Sequence, residues 1–351
     1  MRRLLTIVLG TAAVTAVAGA LHYAGASPTA VFLLSGVALG GLAWLIGVAT
    51  ESVGVHFGPA VTGVLQSTLG NLPELFIVLF ALSAGEVVVA QTSILGSLFA
   101  NALLILGLAI VAGSTAAGDN PMRFRPRLPN DTATLLLLSL SIIALLGLSD
   151  RLGDRASHHQ VEISIIGAVC LLAVYGIWLY SYLTSERGIE PAIEEPAHGA
   201  MGFVPALLVL GGAGAAAALT SDWFVGALDS AVESLHISKA FTGLVIVGIA
   251  GNAVENVVGI TLASKGRADL AVSVVKNSVA QVAAFLFPVL VLLSLFFSDR
   301  LTFVLNPVYI GALAITALAV WQITGDGEAY AFEGFALVAI YVVLATVTFF
   351  E

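Results

Sequence analysis

Cysteine, charge and polar surface are all scarce in this chain, and each scarcity removes a class of function. One cysteine, Cys170, in 351 residues leaves no disulfide framework and no thiolate metal site. Lying inside an apolar run, it reads as a small packing residue. Charged residues make up only 10% of the chain, and the net charge of −9 is spread over loops, so no basic surface is offered to nucleic acid. No G-x-x-x-x-G-K-[S/T] loop is present to draw on ATP. No H-E-x-x-H motif or convincing serine–histidine pairing supports an intramembrane hydrolase, and the adjacent Glu194 and Glu195 lie in a linker. The expectation is a non-enzyme with no organic cofactor.

What is abundant is apolar side chain. At 59% hydrophobic residues and a mean hydropathy of +1.03, the chain carries more than a soluble domain of this length can bury, so lipid must be its solvent. The expected fold is an all-α integral membrane protein of about eleven transmembrane helices, at 4–23, 30–50, 60–82, 87–112, 132–148, 161–183, 201–220, 241–263, 270–297, 301–323 and 331–350. The run from Met201 could continue as an amphipathic helix through Val232. The first run could instead be a signal peptide, since Ala18-Gly19-Ala20 resembles a cleavage site, but its length favours a spanning helix.

Positive charge sets the expected orientation. With the N-terminus cytoplasmic, eight basic residues fall inside (Arg2, Arg3, Arg123, Arg125, Arg127, Arg187, Lys265, Arg267) and four outside (Arg151, Arg155, Lys239, Arg300). Lys276 is left within a span. The C-terminus then lies on the opposite side, and the expected setting is a prokaryotic plasma membrane.

An internal repeat organises the rest. Gly70-Asn71-Leu72-Pro73-Glu74 and Gly251-Asn252-Ala253-Val254-Glu255 both read G-N-x-x-E, each inside an apolar run. Upstream, His56 to Gly63 and His236 to Gly243 both read H-x-x-x-A-x-T-G. Downstream, Ser97 follows Glu74 by 23 residues and Ser278 follows Glu255 by 23. Five spans separate the copies, so they should be inverted across the membrane, an arrangement common in secondary transporters. The expected organisation is an N-terminal helix (1–29), a first repeat (30–183), an acidic Pro- and Gly-containing linker (184–200) and a second repeat (201–351).

Ionised carboxylates at bilayer depth are costly and usually face a cavity. On helices, Asn71 and Glu74 share a face, as do Asn252 and Glu255. The spans that follow add Ser97 with Asn101 and Ser278 with Gln281. These eight side chains offer carboxylate, amide and hydroxyl oxygens, the donor set of a hard cation such as Ca2+, and no thiolate or clustered imidazole that would select zinc or copper. Pro73 lacks an N–H, so the Leu69 carbonyl is freed toward the site or the kink serves packing alone. Two carboxylates held close in a cavity tend to take up protons, which a divalent cation would displace. That is the minimum chemistry of proton/divalent antiport; an open channel fits buried proton-binding glutamates less well. Glu51, Glu233, His56 and His236 are weaker candidates, better read as interfacial residues, and Lys276 either snorkels to the rim or lines the inner cavity.

These motifs resemble those of the calcium/proton exchanger family, within the wider cation/calcium exchanger superfamily. The likeness runs from Ala49-Thr50-Glu51 to Gly107 and from Glu233 to Pro288, and includes Gly96-Ser97…Asn101 and Asn277-Ser278…Gln281. It implies eleven helices, Ca2+ coordination led by Glu74 and Glu255, and export of Ca2+ from the cytosol against inward proton flow, with a Na+/Ca2+ or other cation exchanger as the alternative. Two departures bear on selectivity. Leu72-Pro73 replaces the small residue usual after Asn, and Asn277, preceded by Lys276, stands where glycine is usual.

Overall fold

The computed structural model describes residues 2–54, 56, 65, 68–118, 120–125, 127–185 and 201–351. The described residues are almost entirely helical, at 84%, as backbone in lipid requires, because every N–H and C=O must be paired internally. Among the described residues nine helices are long and apolar enough to cross a membrane, or ten if a bent pair counts as one span. The expected eleven is therefore not reached by length. The remaining apolar helix, Leu72–Ser83, has only 12 residues, and the part of the expected 60–82 span before it lies mostly outside the described residues. So do most of the first H-x-x-x-A-x-T-G copy and of the acidic linker.

Three expectations change in detail. The 301–323 span starts late, as Pro307–Thr324, because Asn306 caps it by accepting from the Val308 N–H at 3.2 Å and Pro307 needs no donor partner there. The run from Met201 ends at Gly226 as helix Phe203–Gly226, and the amphipathic continuation is a separate helix, Leu228–Leu235. The fold is also not purely helical. Met122–Arg123 pairs antiparallel with Glu328–Ala329, tying a loop of the first half to one of the second. Arg123 meets Glu328 at 3.3 Å across it, and Arg125 donates its main-chain N–H to Asp269 at 2.6 Å.

Burial sorts the helices into a centre and a rim. In the most apolar stretch of Val87–Ala116, 83% is buried, and in that of Ala268–Phe296, 67%; for Thr6–Tyr23 the share is 17%. The two central spans carry Ser97, Asn101, Ser278 and Gln281, so the expected polar residues lie in the best-covered part of the molecule. Cys170 corrects an expectation: it is exposed on the outer face of Gln160–Ser185, not packed inside.

The two halves repeat the same succession of elements. Leu72–Ser83 and Ala253–Ser264 are both 12-residue helices that begin just after the motif asparagine. Each ends in a turn whose glycine has positive φ, +79° at Gly85 and +74° at Gly266, where a Cβ would be strained. The next helices, Val87–Phe99 and Ala268–Gln281, each pass directly into a π-helical turn, Ala100–Ile105 and Val282–Leu286.

A third π-helical segment, Thr242–Val247, crosses Val87–Phe99 with backbone almost touching backbone. A Cβ on Gly96 would lie 2.7 Å from the Leu244 Cα and 2.8 Å from the Gly243 carbonyl oxygen, and one on Gly248 would lie 2.9 Å from the Gly96 Cα. Lys239 closes the same end of the crossing. Its ammonium reaches both carboxylate oxygens of Glu86, at 2.7 and 2.8 Å, and Asp229 at 2.6 Å. Lysine at the start of a helix opposes the helix dipole, so these two acids account for its place there. Gly96→Ala should lower the melting temperature in detergent, at a cost of about 1–3 kcal/mol for overpacking against immovable backbone. Gly176→Ala, at a helical site with no atom near its added Cβ, should be neutral or slightly stabilising in the same thermal scan.

Candidate cation site

Both motif asparagines stand at breaks in the helical backbone. Asn71 (φ −86°, ψ 9°) precedes Leu72–Ser83, and Asn252 (φ −105°, ψ 28°) separates the short helix Gly248–Gly251 from Ala253–Ser264. Each break starts a new helix inside the protein, and the motif glutamate is its third residue. A carboxylate there lies near the positive end of the helix dipole, which lowers the cost of its charge. Pro73 fits the first turn of Leu72–Ser83 because the N–H it lacks would have had no helical partner.

Glu74 is fully buried, and neither carboxylate oxygen meets a hydrogen-bond donor. Two groups act on it electrostatically: the Ser97 hydroxyl, which stands near but outside hydrogen-bond geometry, and the Glu255 carboxylate from the other half. The second break approaches closely too, since a Cβ on Gly251 would lie 3.8 Å from that of Glu74. Glu255 is partly buried.

A second cluster crosses between the halves through one amide. The Asn101 Nδ2 donates to Asn252 Oδ1 at 2.6 Å, to Ser278 Oγ at 3.1 Å and to the Ser97 carbonyl at 3.0 Å, sharing two N–H bonds among three acceptors. The Asn252 amide donates in turn to the Gly248 carbonyl at 2.8 Å, ahead of its own break. With its N–H groups committed, Asn101 is left with a buried Oδ1 that accepts nothing, and Ser97 Oγ is likewise unpartnered. Four buried oxygens without donors thus belong to three residues of the first half: two on Glu74, one on Ser97 and one on Asn101.

Six of the eight expected side chains are joined in this way: Glu74, Ser97 and Glu255 by electrostatic proximity, and Asn101, Asn252 and Ser278 by hydrogen bonds. Asn71 and Gln281 are buried on the same elements, Gln281 being the last residue before the π-helical turn. Asn101 and Gln281 sit four and three residues after their serines, yet both mark the entry to a π turn. The wider turn rotates the face that follows, a feature with no plain sequence signature.

Other candidates fall outside the cluster. Lys276 is buried and donates to Thr324 Oγ1 at 2.6 Å, at the last residue of Pro307–Thr324, where helix carbonyls favour a cation. His236 caps Leu228–Leu235 in the left-handed region at φ 54°, and His56 shares a contact of 3.1 Å with the Ser52 carbonyl. Glu233 is exposed and Glu51 partly buried. One residue that the motif reading overlooked is Asn256, beside Glu255, whose amide donates to the Ile249 carbonyl across the break at 3.1 Å. Among the described residues no group of three or more His, Cys, Asp or Glu side chains could hold a metal, so any cation here is met by carboxylates supplemented with neutral oxygens.

Known proteins share this arrangement over almost the whole length. The family model described as sodium/calcium exchanger protein matches residues 27–183 and 205–350. A Ca2+/H+ antiporter of Synechocystis is 31% identical, with 95% of this chain and 94% of that protein aligned. The Ca2+/H+ antiporter ChaA of Bacillus subtilis is 30% identical over 98% of each. The solved structure of native YfkE superposes with a TM-score of 0.84 at 27% identity, covering 98% of this chain and all of that one. The chain belongs to the sodium/calcium exchanger protein family.

Proposed function

We propose that this protein is a Ca2+/H+ antiporter that binds its two ions in turn at Glu74 and Glu255. The observation that carries this reading is the buried Glu74 carboxylate with no donor, next to Glu255 and to orphaned oxygens of Ser97 and Asn101. A buried carboxylate left in that state must be neutralised or it costs several kcal/mol. A proton does this at one oxygen. A Ca2+ ion does it for both glutamates together and accepts the neutral oxygens as further ligands, since Ca2+ takes six to eight in flexible geometry. Asn71, Asn252, Ser278 and Gln281 complete the proposed ligand set, which makes the protein a transporter and not an enzyme.

The two ions then exclude one another from a shared site, and either neutralised state permits the same rearrangement. The recurrence of broken helix, glycine turn and π turn in residues 30–183 and 201–351 supports two inverted repeats around the site, preceded by residues 1–29. Placing the N-terminus in the cytoplasm and the C-terminus opposite follows the distribution of Arg and Lys. In that orientation the Gly96 crossing and the Lys239 ion pairs close the non-cytoplasmic approach, leaving Ca2+ to enter from the cytosol.

In proteoliposomes, Ca2+ uptake should follow an imposed pH gradient with sodium absent; uptake that needs sodium would reject proton coupling. Because protons occupy the empty carboxylates, apparent Ca2+ affinity should weaken as pH falls, read by 45Ca2+ binding at several pH values. Glu74→Gln and Glu255→Gln should each reduce exchange by about a hundredfold or more, with the folded yield kept. Asn101→Leu should destabilise by about 2 kcal/mol, because Asn252 Oδ1 and Ser278 Oγ lose their shared donor, and the thermal scan reads this directly.

A further inference from the structure

We infer that Asn256 is a positioning residue for the exchange site, a clamp across the second helix break that fixes the direction of Glu255; this rests on the antiport reading above. A break exposes the carbonyls that precede it, because the N–H groups that would have paired with them turn away. Here two successive carbonyls are met by side-chain amides instead. Gly248 accepts from Asn252 at 2.8 Å, and Ile249 accepts from Asn256 at 3.1 Å, seven residues further along. The second bond spans the break, joining Gly248–Gly251 to the first turn of Ala253–Ser264. Glu255 is the residue immediately before the clamp. Its carboxylate direction depends on how that first turn is held against the preceding half-helix.

The first half solves the same problem differently. There the residue after the motif glutamate is Leu75, which has no donor to give, and the break is shaped by Pro73, which has no counterpart at Val254. A ring that fixes φ stiffens one break, and a hydrogen bond that can open holds the other. The Asn256 Oδ1 is buried and accepts nothing, so the amide is retained at a desolvation cost that simple packing would not require. A leucine of similar volume would fill the same space. The clamp therefore answers a need of the ion site.

Two substitutions separate this role from packing. Asn256→Leu keeps the volume, removes the donor and copies the first half, whereas Asn256→Gln keeps an amide donor. Using the full chain in proteoliposomes with Ca2+ as the probe, Asn256→Leu should raise the half-saturating Ca2+ concentration about tenfold, the effect of one lost hydrogen bond, with its melting temperature unchanged. Asn256→Gln should recover most of that affinity. Wild-type saturation in Asn256→Leu, equal loss in both variants, or a loss that tracks a lower melting temperature would each overturn the inference. Hydrogen–deuterium exchange across residues 248–256 reads the clamp without transport: it should rise in Asn256→Leu and not in Asn256→Gln. If the wild type fails to move Ca2+ under a pH gradient, the antiport reading falls, and this exchange result alone decides whether the clamp exists.

Discussion

A carboxylate buried among helices at bilayer depth, with no donor to meet it, constrains everything around it. Glu74 is completely covered, and both its oxygens go unanswered. In water such a group would be hydrated, and in a soluble core it would be paired or lost to mutation. Here its cost is lessened by placement: it is the third residue of a helix that starts inside the protein, near the positive end of that helix's dipole. Glu255 has the same position in Ala253–Ser264. Helix breaks at Asn71 and Asn252 are what make such internal starts available. They are tolerable in a membrane only where other helices and side-chain amides take up the freed backbone groups.

The same constraint explains why the centre is packed unlike the rim. Water or lipid leaking between Val87–Phe99 and Thr242–Val247 would hydrate or disorder the site, and the closest packing falls there, with Gly96, Gly243 and Gly248 bringing backbones together. Side chains could not come so near, and small residues at helix crossings are the membrane's usual means of close approach. The paired loops at Met122–Arg123 and Glu328–Ala329 are joined more loosely. Arg123–Glu328 and Arg125–Asp269 join highly exposed side chains, pairs of the kind that contribute little to stability. Backbone also meets backbone where Leu106–Ala116 crosses Ala331–Phe349, since a Cβ on Gly107 would lie 2.6 Å from the Gly334 carbonyl oxygen.

Sequence carried the polar skeleton further than the architecture around it. Glu74, Glu255, Ser97, Ser278, Asn101 and Asn252 were legible because charge and amide are rare in apolar runs, and their equal spacing in two places reduces chance. The number of spans was less legible. Hydropathy cannot distinguish a continuous helix from one broken at Asn252, because a break exposes no additional polar side chain. The π turns after Phe99 and Gln281 follow no residue pattern, since any apolar sequence can host them. Asn256 was overlooked for a related reason. Its meaning lies in a partner seven residues back, a distance that an unbroken helix would place almost two turns away along the axis. Cys170 shows the limit of inferring burial from hydropathy alone, because in lipid the outward face is as apolar as the core.

The donor set also bears on which dication such a centre suits. Mg2+ demands near-octahedral geometry and gives up its water reluctantly, so a rigid ring of few ligands would serve it. The proposed site has a different character. Its two carboxylates stand on separate half-helices that begin at asparagine breaks, and its neutral oxygens come from residues whose other bonds already hold them in place, as the Asn101 amide does for its own Oδ1. Acids from two separate half-helices combined with fixed neutral oxygens match an ion of variable coordination number. The asymmetry between a proline-shaped break in one half and an amide-bridged break in the other adds to this, since the second can loosen by giving up one hydrogen bond while the first cannot. If one carboxylate moves more readily than its partner, it is Glu255, and the partly buried position of that residue beside a fully buried Glu74 agrees with such a division of labour.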